Sequence, residues 1–406
     1  MGHYKNFIGA AMAAALFLSA PYVIKAGTGA EIIAKANDSF AFDIYAAVSK
    51  NEAGKNIFIS PYSISAAFTM CYEGAAGETA AQIGKVFYFP ADIKEMRNGY
   101  LEMQTEINRK NTGYELSSAN SIWPQTGYGF LKRYTDTVKK YYGGNAEEVD
   151  YAGNRQDAIS RINKWTAINT KDKITTIVDE DSVNELTRMV LVNAVYFKGS
   201  WLEKFDKERT MPMDFYTPGR GTVKTDMMNT KREFNYGEFD GIKVLELPYA
   251  GGVMSMIVVL PDSNDTSKLE ASLTYDVFMK WVNLLQKTKV AVALPRFKIG
   301  CLYSLNRELA GLGMPLAFDE RQADFSGMTG KKDLYITGVI HETYIDVNEE
   351  GTEAAAVTAI VMGTKSIEMS PEFIADHPFI FFIYDREAGN ILFMGRICDP
   401  ADKKVK

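Results

Sequence analysis

Apolar positions recur with two different periods along this chain, and the change from one to the other divides it. In the first half the period is helical. Phe40, Ile44, Ala47 and Val48 fall on one helix face. Ser60-Pro61 opens a second helix: serine can cap it, proline suits its first turn, Ile64, Ala67, Phe68 and Cys71 give it an apolar side, and Gly74 fits its end. Thr79-Ala80-Ala81-Gln82 has capping-box spacing and predicts the start of a third helix. Another is predicted over Arg155 to Asn169, with Ile159, Ile162 and Trp165 on one side.

Later the pattern is that of strands. Met189 to Lys198 (MVLVNAVYFK) is almost wholly apolar, as in a strand buried on both faces. Lys243 to Tyr249 and Val253 to Leu260 flank Ala250-Gly251-Gly252 and predict a hairpin. Phe379 to Tyr384 and Ile391 to Arg396, on either side of Asp385 to Asn390, predict another. Lys289 to Leu294 and Leu334 to Asn348 complete the predicted strands. Helices and strands mix without strict alternation, so the predicted class is α+β with large antiparallel or mixed sheets. No repeat, low-complexity linker or charge block marks a boundary, and residues 27–406 read as a single domain.

The N-terminus stands apart. Lys5 precedes an apolar run from Phe7 to Ala20, broken by Pro21 and followed by small residues, which is the layout of a secretory signal peptide over residues 1–26. Ile24-Lys25-Ala26 is an acceptable cleavage triplet and Thr28-Gly29-Ala30 is the alternative. An uncleaved anchor is the competing reading, but the run is short for a bilayer. The expectation is a secreted protein, extracellular or, in a Gram-negative host, periplasmic, with no membrane attachment after cleavage. Asn37-Asp38-Ser39 and Asn264-Asp265-Thr266 are candidate glycosylation acceptors in a eukaryotic host.

Charge and scarce residues narrow the function. The net charge is -6, and removing Lys5 and Lys25 leaves 43 basic against 51 acidic residues, or -8. That argues against nucleic acid as a partner. Cys71, Cys301 and Cys398 are odd in number and far apart, with neither a disulfide framework nor metal-ligand spacing; no metal and no cofactor is expected. Of three histidines, His3 leaves with the signal peptide, and neither His341 nor His377 lies beside a nucleophile signature such as Gly-x-Ser-x-Gly. The chain is therefore not read as an enzyme.

One segment does not behave as an ordinary element. Residues 347–365, VNEEGTEAAAVTAIVMGTK, carry no charge between Glu353 and Lys365 and have strand propensity. They follow directly on a long strand, with only Glu349-Glu350-Gly351-Thr352 between, and those residues make a poor tight turn. Three readings stand: an overlong strand, a segment that is either loop or strand, or a strand after a bulge at Gly351.

Here VNEEGTEAAAVT, with HPF at 377–379, resembles the hinge and C-terminal part of the serpins, the family of serine protease inhibitors. Other stretches similar to that family follow in the same order: NIFISPYSISAAFTMCYEGAAGET (56–79), INKWTAINTKDKI (162–174), LVNAVYFKGSWLEKF (191–205) and VLELPYAGGVMSMIVVLP (244–261). The resemblance covers essentially the whole chain beyond the signal peptide. It implies three β-sheets, eight or nine helices, and an exposed reactive-centre loop that a target protease attacks as substrate. The cleaved loop then inserts into the main sheet as a new strand and traps the acyl-enzyme.

The resemblance also assigns residues. Glu349, Gly351, Thr352, Ala354, Ala355, Ala356 and Thr358 match the hinge. Thr352, Ala354, Ala356 and Thr358 form the alternate set that would enter the sheet, and all are small or modest in size. Val357 departs from the family's usual small residue but falls in the outward set. The family's spacing from Gly351 puts the reactive bond at Lys365-Ser366, and a lysine there fits the acidic pocket of a trypsin-like serine protease. Ser60, Ser63, Asn193 and His341 match the buried polar cluster called the shutter. Glu349 and Arg296 match the hinge ion pair, with Arg296 where the family often has lysine. Trp201 matches the tryptophan beneath the breach, the point of first insertion. Arg97, Arg109 and Lys110 lie near where some relatives bind heparin, but they are few and interrupted by acids, so no such site is expected. Before cleavage the loop, Thr352 included, is expected outside the sheet. The partner is then a trypsin-like protease and the inhibitor a monomer. The alternatives are a non-inhibitory serpin (chaperone, carrier or storage protein) and an inhibitor of cysteine proteases by the same trap.

Overall fold

In the computed structural model of the chain, residues 28–108, 113–219, 221–352 and 370–402 are described. The N-terminal helices are α1 (Gly29–Asn51), α2 (Pro61–Gly74), α3 (Gly77–Val86), α4 (Ile93–Ile107), α5 (Lys132–Thr137) and α6 (Arg155–Asn169). The strands are β1 (Ile57–Ile59), β2 (Tyr114–Pro124), β3 (Asn145–Ala146), β4 (Met189–Ser200), β5 (Met211–Thr217), β6 (Gly221–Phe239), β7 (Ile242–Pro248), β8 (Met254–Pro261), β9 (Gln286–Pro295), β10 (Phe297–Ser304), β11 (Gly338–Asn348), β12 (Gly351–Thr352), β13 (Glu372–Ile374), β14 (Phe379–Asp385) and β15 (Asn390–Ile397).

The main sheet has the order β10-β11-β12-β4-β2-β3. The other strands form one hydrogen-bonded network in which β6 does double duty. Its early part pairs with β5 and β9, whereas Asn235–Phe239 pairs with β7 and leads on to β8, β14, β15 and β1. A long shared strand thus joins two sheets, and with the main sheet the molecule has the three-sheet α+β architecture that the resemblance implies.

Local sequence explains the element ends. Thr28 caps α1: its hydroxyl accepts the Glu31 N–H at 3.3 Å, and the Glu31 carboxylate accepts the Thr28 N–H at 3.0 Å. The Ser60 hydroxyl accepts the Ser63 N–H at 3.2 Å and Pro61 opens α2, as predicted. The third helix corrects its prediction. It starts at Gly77, and the buried Thr79 spends its hydroxyl on the N–H of Asp324, 3.0 Å away in a distant loop. Asn37 is also corrected as a glycosylation acceptor. It is 1% exposed and its amide donates to Asn390 Oδ1 and to the Ile391 carbonyl.

The strand β4 is buried on both faces, as its sequence predicts. Leu191, Val195 and Phe197 face the main core, which holds α1, α2 and the strands β8, β14 and β15. Val190, Val192 and Ala194 face a second cluster under α6, with Trp123, Ile159 and Ile162. Each such aliphatic side chain stabilises the fold by roughly 1.5–3 kcal/mol on burial. Two clusters on opposite faces thus pack β4 from both sides. Cys71, Cys301 and Cys398 are free thiols.

Candidate functional site

The strands β11 and β4 lie side by side in parallel from Gly338–Val190 to Tyr344–Tyr196, then part. The short strand β12 fills the start of the gap. Thr352 pairs with Val347 on one side and Gly199 on the other, and Gly351 with Asn348 and Ser200. Residues 349 and 350 therefore form a two-residue turn, although Glu349-Glu350-Gly351-Thr352 read as a poor tight turn by sequence. Thr352 is likewise corrected: it is 0% exposed inside the sheet, not outside it.

The turn is held by groups remote in sequence. The Glu349 carboxylate accepts from Arg296 Nε at 2.7 Å and from the Thr210 hydroxyl. Glu350 pairs with Lys204 at 2.7 Å and Lys207 at 3.1 Å, and its N–H donates to Asn348 Oδ1 at 3.0 Å. The Glu349 and Glu350 carbonyls accept the N–H groups of Phe205 and Trp201, at 3.0 and 2.9 Å. Burial raises the Glu349 carboxyl, but the bonds from Arg296 and Thr210 outweigh it and hold the group below the usual carboxylate range. Glu350 is lowered chiefly by Lys204, against burial and with help from Lys207. The departure from lysine at 296 has a geometric use. The guanidinium grips Glu349 through two nitrogens and still reaches Asp226 at 3.5 Å, which a single ammonium could not match.

Gly351 is required. Its φ is +146°, and a Cβ there would meet the Gly199 carbonyl oxygen at 2.1 Å and the Ser200 Cα at 2.6 Å. Beneath it, Trp201 donates Nε1–H to the Asn348 carbonyl at 2.9 Å and stacks on Tyr249 with centroids 4.6 Å apart. Tyr249 Oη and Thr352 Oγ1 share a hydrogen bond of 2.8 Å. Trp201 and Tyr249 thus form an aromatic shelf that carries the Thr352 side chain.

Six residues back along β4, about 20 Å away at 3.3 Å per residue, Ser60, Ser63, Asn193 and His341 meet in one buried network. His341, on β11, is 0% exposed. Its Nε2 accepts the Ser60 N–H at 3.0 Å, so Nδ1 carries the proton and donates it across the seam to Asn193 Oδ1 on β4. Asn193 Nδ2 donates to the Ser63 carbonyl at 2.8 Å and also contacts Ser63 Oγ and Asn120 Oδ1. Ser63 and Ser118 hydroxyls bond at 2.8 Å, and Ser60 Oγ donates to the Leu392 carbonyl at 2.7 Å. Burial pushes the His341 imidazole down to about 3, so it is neutral.

Sequence reading missed Tyr249, Thr210, Lys204, Lys207, Ser118 and Asn120. Tyr249 stood inside a quoted motif, but as the end of a hairpin; nothing local signals its bond to residue 352. Both nitrogens of His377 are engaged, by Asp376 Oδ1 at 2.7 Å and the Pro261 carbonyl at 2.6 Å. Arg97 is committed to an ion pair with Glu73. Ala354, Ala355, Ala356, Thr358, Lys365 and Ser366 lie outside the described residues, as do Arg109 and Lys110. Among the described residues no cluster of ligands could hold a metal, and no helix is long and apolar enough to cross a membrane.

A family model described as Serpin (serine protease inhibitor) matches residues 35–400. The leukocyte elastase inhibitor of Homo sapiens is 40% identical over 381 residues, which cover 91% of this chain and 100% of that protein. Among solved structures, Serpin48, a highly specific serpin in the insect Tenebrio molitor, is 34% identical with a TM-score of 0.82, covering 90% of this chain and 98% of its own. Human thyroxine-binding globulin, solved as a thyroxine complex, is 28% identical with a TM-score of 0.85, covering 93% of this chain and 100% of its own.

Proposed function

The chain belongs to the serpin family, and from that premise we propose that it is a secreted suicide-substrate inhibitor of trypsin-like serine proteases. The observation that carries the proposal is the seat of Thr352, whose backbone already pairs with both β11 and β4. Insertion is the continuation of a strand that has begun.

In the proposed mechanism the protease serine attacks the Lys365 carbonyl. The bond to Ser366 nitrogen breaks, the new amino terminus leaves, and Lys365 stays esterified to the enzyme. Residues after Thr352 then extend β12. Each step replaces a parallel β11–β4 pairing by two antiparallel ones, from Tyr344–Tyr196 towards Gly338–Val190. Ala354, Ala356 and Thr358 enter the interior with little displacement of their neighbours. About fourteen residues at 3.3 Å each drag the protease roughly 45 Å. On the order of ten new ladder bonds at about 1 kcal/mol each drive the step. Distortion of the attached protease would displace its oxyanion hole and triad, so that the ester is not hydrolysed.

The lysine at 365 favours a trypsin-like target over the elastase named for the human relative, because a cationic side chain needs an anionic pocket. A carrier role, as for the thyroxine-binding relative, is the competing reading, and the small side chains of the hinge speak against it. Secretion rests on the leader over residues 1–26. Cleavage after Ala26 keeps the Thr28 cap of α1, whereas cleavage after Ala30 would remove it, which favours the first site.

The test is to mix the purified chain with trypsin and run a denaturing gel. A band at the combined mass, and a released fragment beginning at Ser366, are the expected result. Lys365→Ala should abolish most of that band without changing the fold. Cleavage with no covalent band would favour the carrier reading, and a fragment with another start would relocate the bond.

A further inference from the structure

A cavity of about 270 Å3 at the β10 side of the main sheet is lined by residues 299–303 of β10, residues 342–344 of β11 and the segment 173–176 that follows α6, and also by Glu52, Lys55, Asn56 and Asp402. Glu342 lines it. In register Glu342 stands between Leu302 of β10 and Ala194 of β4, on the sheet face that carries the α6 cluster. Its Oε2 is buried with no hydrogen-bond partner, and burial alone pushes the carboxyl up to about 7. Two cations on the same cavity are engaged elsewhere: Lys55 with Glu52 at 2.8 Å, and Lys173 over the Tyr196 ring, 5.8 Å from its centroid. Leu302, 43% exposed, and the buried Ile174 supply apolar wall. The cavity is at the small end of ligand sites; of its three carboxylates, Glu52 is paired with Lys55, Asp402 stands at the chain's C-terminal end, and Glu342 is the one with a buried oxygen left unpaired.

We propose that this cavity binds a small organic cation, with an ammonium or guanidinium head on Glu342 and an apolar body against Leu302 and Ile174, and that an occupied cavity opposes loop insertion. The second half follows from where the walls belong, and it rests on the inhibitor reading above. Glu342 and Leu302 sit on β11 and β10, the half of the sheet that must leave β4. The segment 173–176 belongs to the other half. Thr170 of its turn bonds back into α6, Lys171 pairs with Glu115 of β2, and Lys173 sits over Tyr196 of β4. A ligand touching both walls bridges the two halves across the seam, and parting them breaks its contacts. It binds the closed sheet better than the open one and shifts the balance accordingly.

The probe is 2-phenylethylamine, with 3-phenylpropionate as the anionic control, measured by calorimetry at pH 8 on the intact full chain. The amine should bind, and the propionate should not. Glu342→Gln should weaken the amine by at least about tenfold, as loss of a charge-assisted bond does. Leu302→Lys, at an exposed position opposite Glu342, should do the same by supplying an internal cation, and it guards against a folding failure of the first variant. With trypsin, the amine should raise the ratio of cleaved chain to covalent complex in the wild type and leave Glu342→Gln unmoved. Equal binding of amine and propionate, or undiminished binding by both variants, overturns the site. Binding through Glu342 with an unmoved ratio overturns the bridge. A chain that binds the amine but traps no protease refutes the inhibitor reading and leaves the site standing.

Discussion

At the breach, two carboxylates are gripped by one guanidinium and two ammonium groups at the rim of the sheet. Halfway down the same seam, the shutter joins the same two strands with no ionised group at all: a neutral imidazole, two amides and three hydroxyls, all linked. The first arrangement positions a turn that, in the proposed mechanism, stays where it is while the strand beyond it grows. The second crosses the seam itself, through His341 and Asn193, and in the proposed mechanism it gives way as insertion passes. The difference is that between an anchor and a latch. Ion pairs with exposed cations can hold a fixed point in water, whereas a bond that must open and reseal inside the sheet is better made of neutral partners, whose separation strands no buried charge.

The comparison can be broken at its most sensitive point, Thr352. An arginine there has to sit between β11 and β4 even in the intact chain, so Thr352→Arg should lower intact stability by several kcal/mol or expel β12. In either case trypsin should cleave it without being trapped. A denaturant titration and a complex-to-cleaved ratio check both, and an unchanged ratio would contradict insertion through this segment. Next comes the latch. Asn193→Ala leaves the buried His341 Nδ1–H without a partner and removes the amide that ties Ser63 to the seam, and should cost about 2–4 kcal/mol in the same titration.

Acid separates the two regions. The His341 value is depressed in the fold, so its stabilisation is complete above the unfolded value near 6.5 and is lost as pH falls from there towards about 3. Glu349 and Glu350 are depressed too, but their contribution begins to fade only below the ordinary glutamate value near 4.3. Glu342, raised to about 7, acts in the opposite sense, favouring the fold as pH falls. A difference measurement removes that contribution: the stability advantage of wild type over His341→Gln should shrink by about 1.4 kcal/mol per unit between pH 6 and pH 5. A pH-independent difference would mean that the imidazole is not held neutral. The smallest effect belongs to the anchor's outer cations. Lys204→Ala should cost no more than about 1 kcal/mol, and less in high salt, because that ammonium is 38% exposed.

Elements whose burial pattern is written locally were legible in the sequence. The strand β4 announced itself by an apolar run buried on two faces, and α6 starts at Arg155 and ends at Asn169 as predicted. The strand β2, YELSSANSIWP, was not seen, because its polar residues serve the shutter and break the alternation. The helix α4 was not seen either, being mostly polar on its outer side. The turn at 349–350 was misjudged for a different reason. Its residues are poor turn formers alone and become good ones through Arg296, Thr210, Lys204 and Lys207, none of them near in sequence. Shutter membership came through family likeness; the rest of the network, Ser118 and Asn120, carries no local signal.

The central claim is that residues after Thr352 are a strand in waiting, and melting the chain before and after loop cleavage tests it most directly. Thermolysin suits the purpose, since it uses a metal-bound water and forms no acyl bond that could be trapped, and the loop offers it Ile360, Val361 and Met362. If the cleaved segment enters the sheet, the nicked chain should melt at least ~5 °C above the intact one, because a nick at these residues leaves roughly half of the segment to pair, a gain on the order of five kcal/mol at about 1 kcal/mol per ladder bond. A nicked chain that melts at or below the intact temperature would contradict the account.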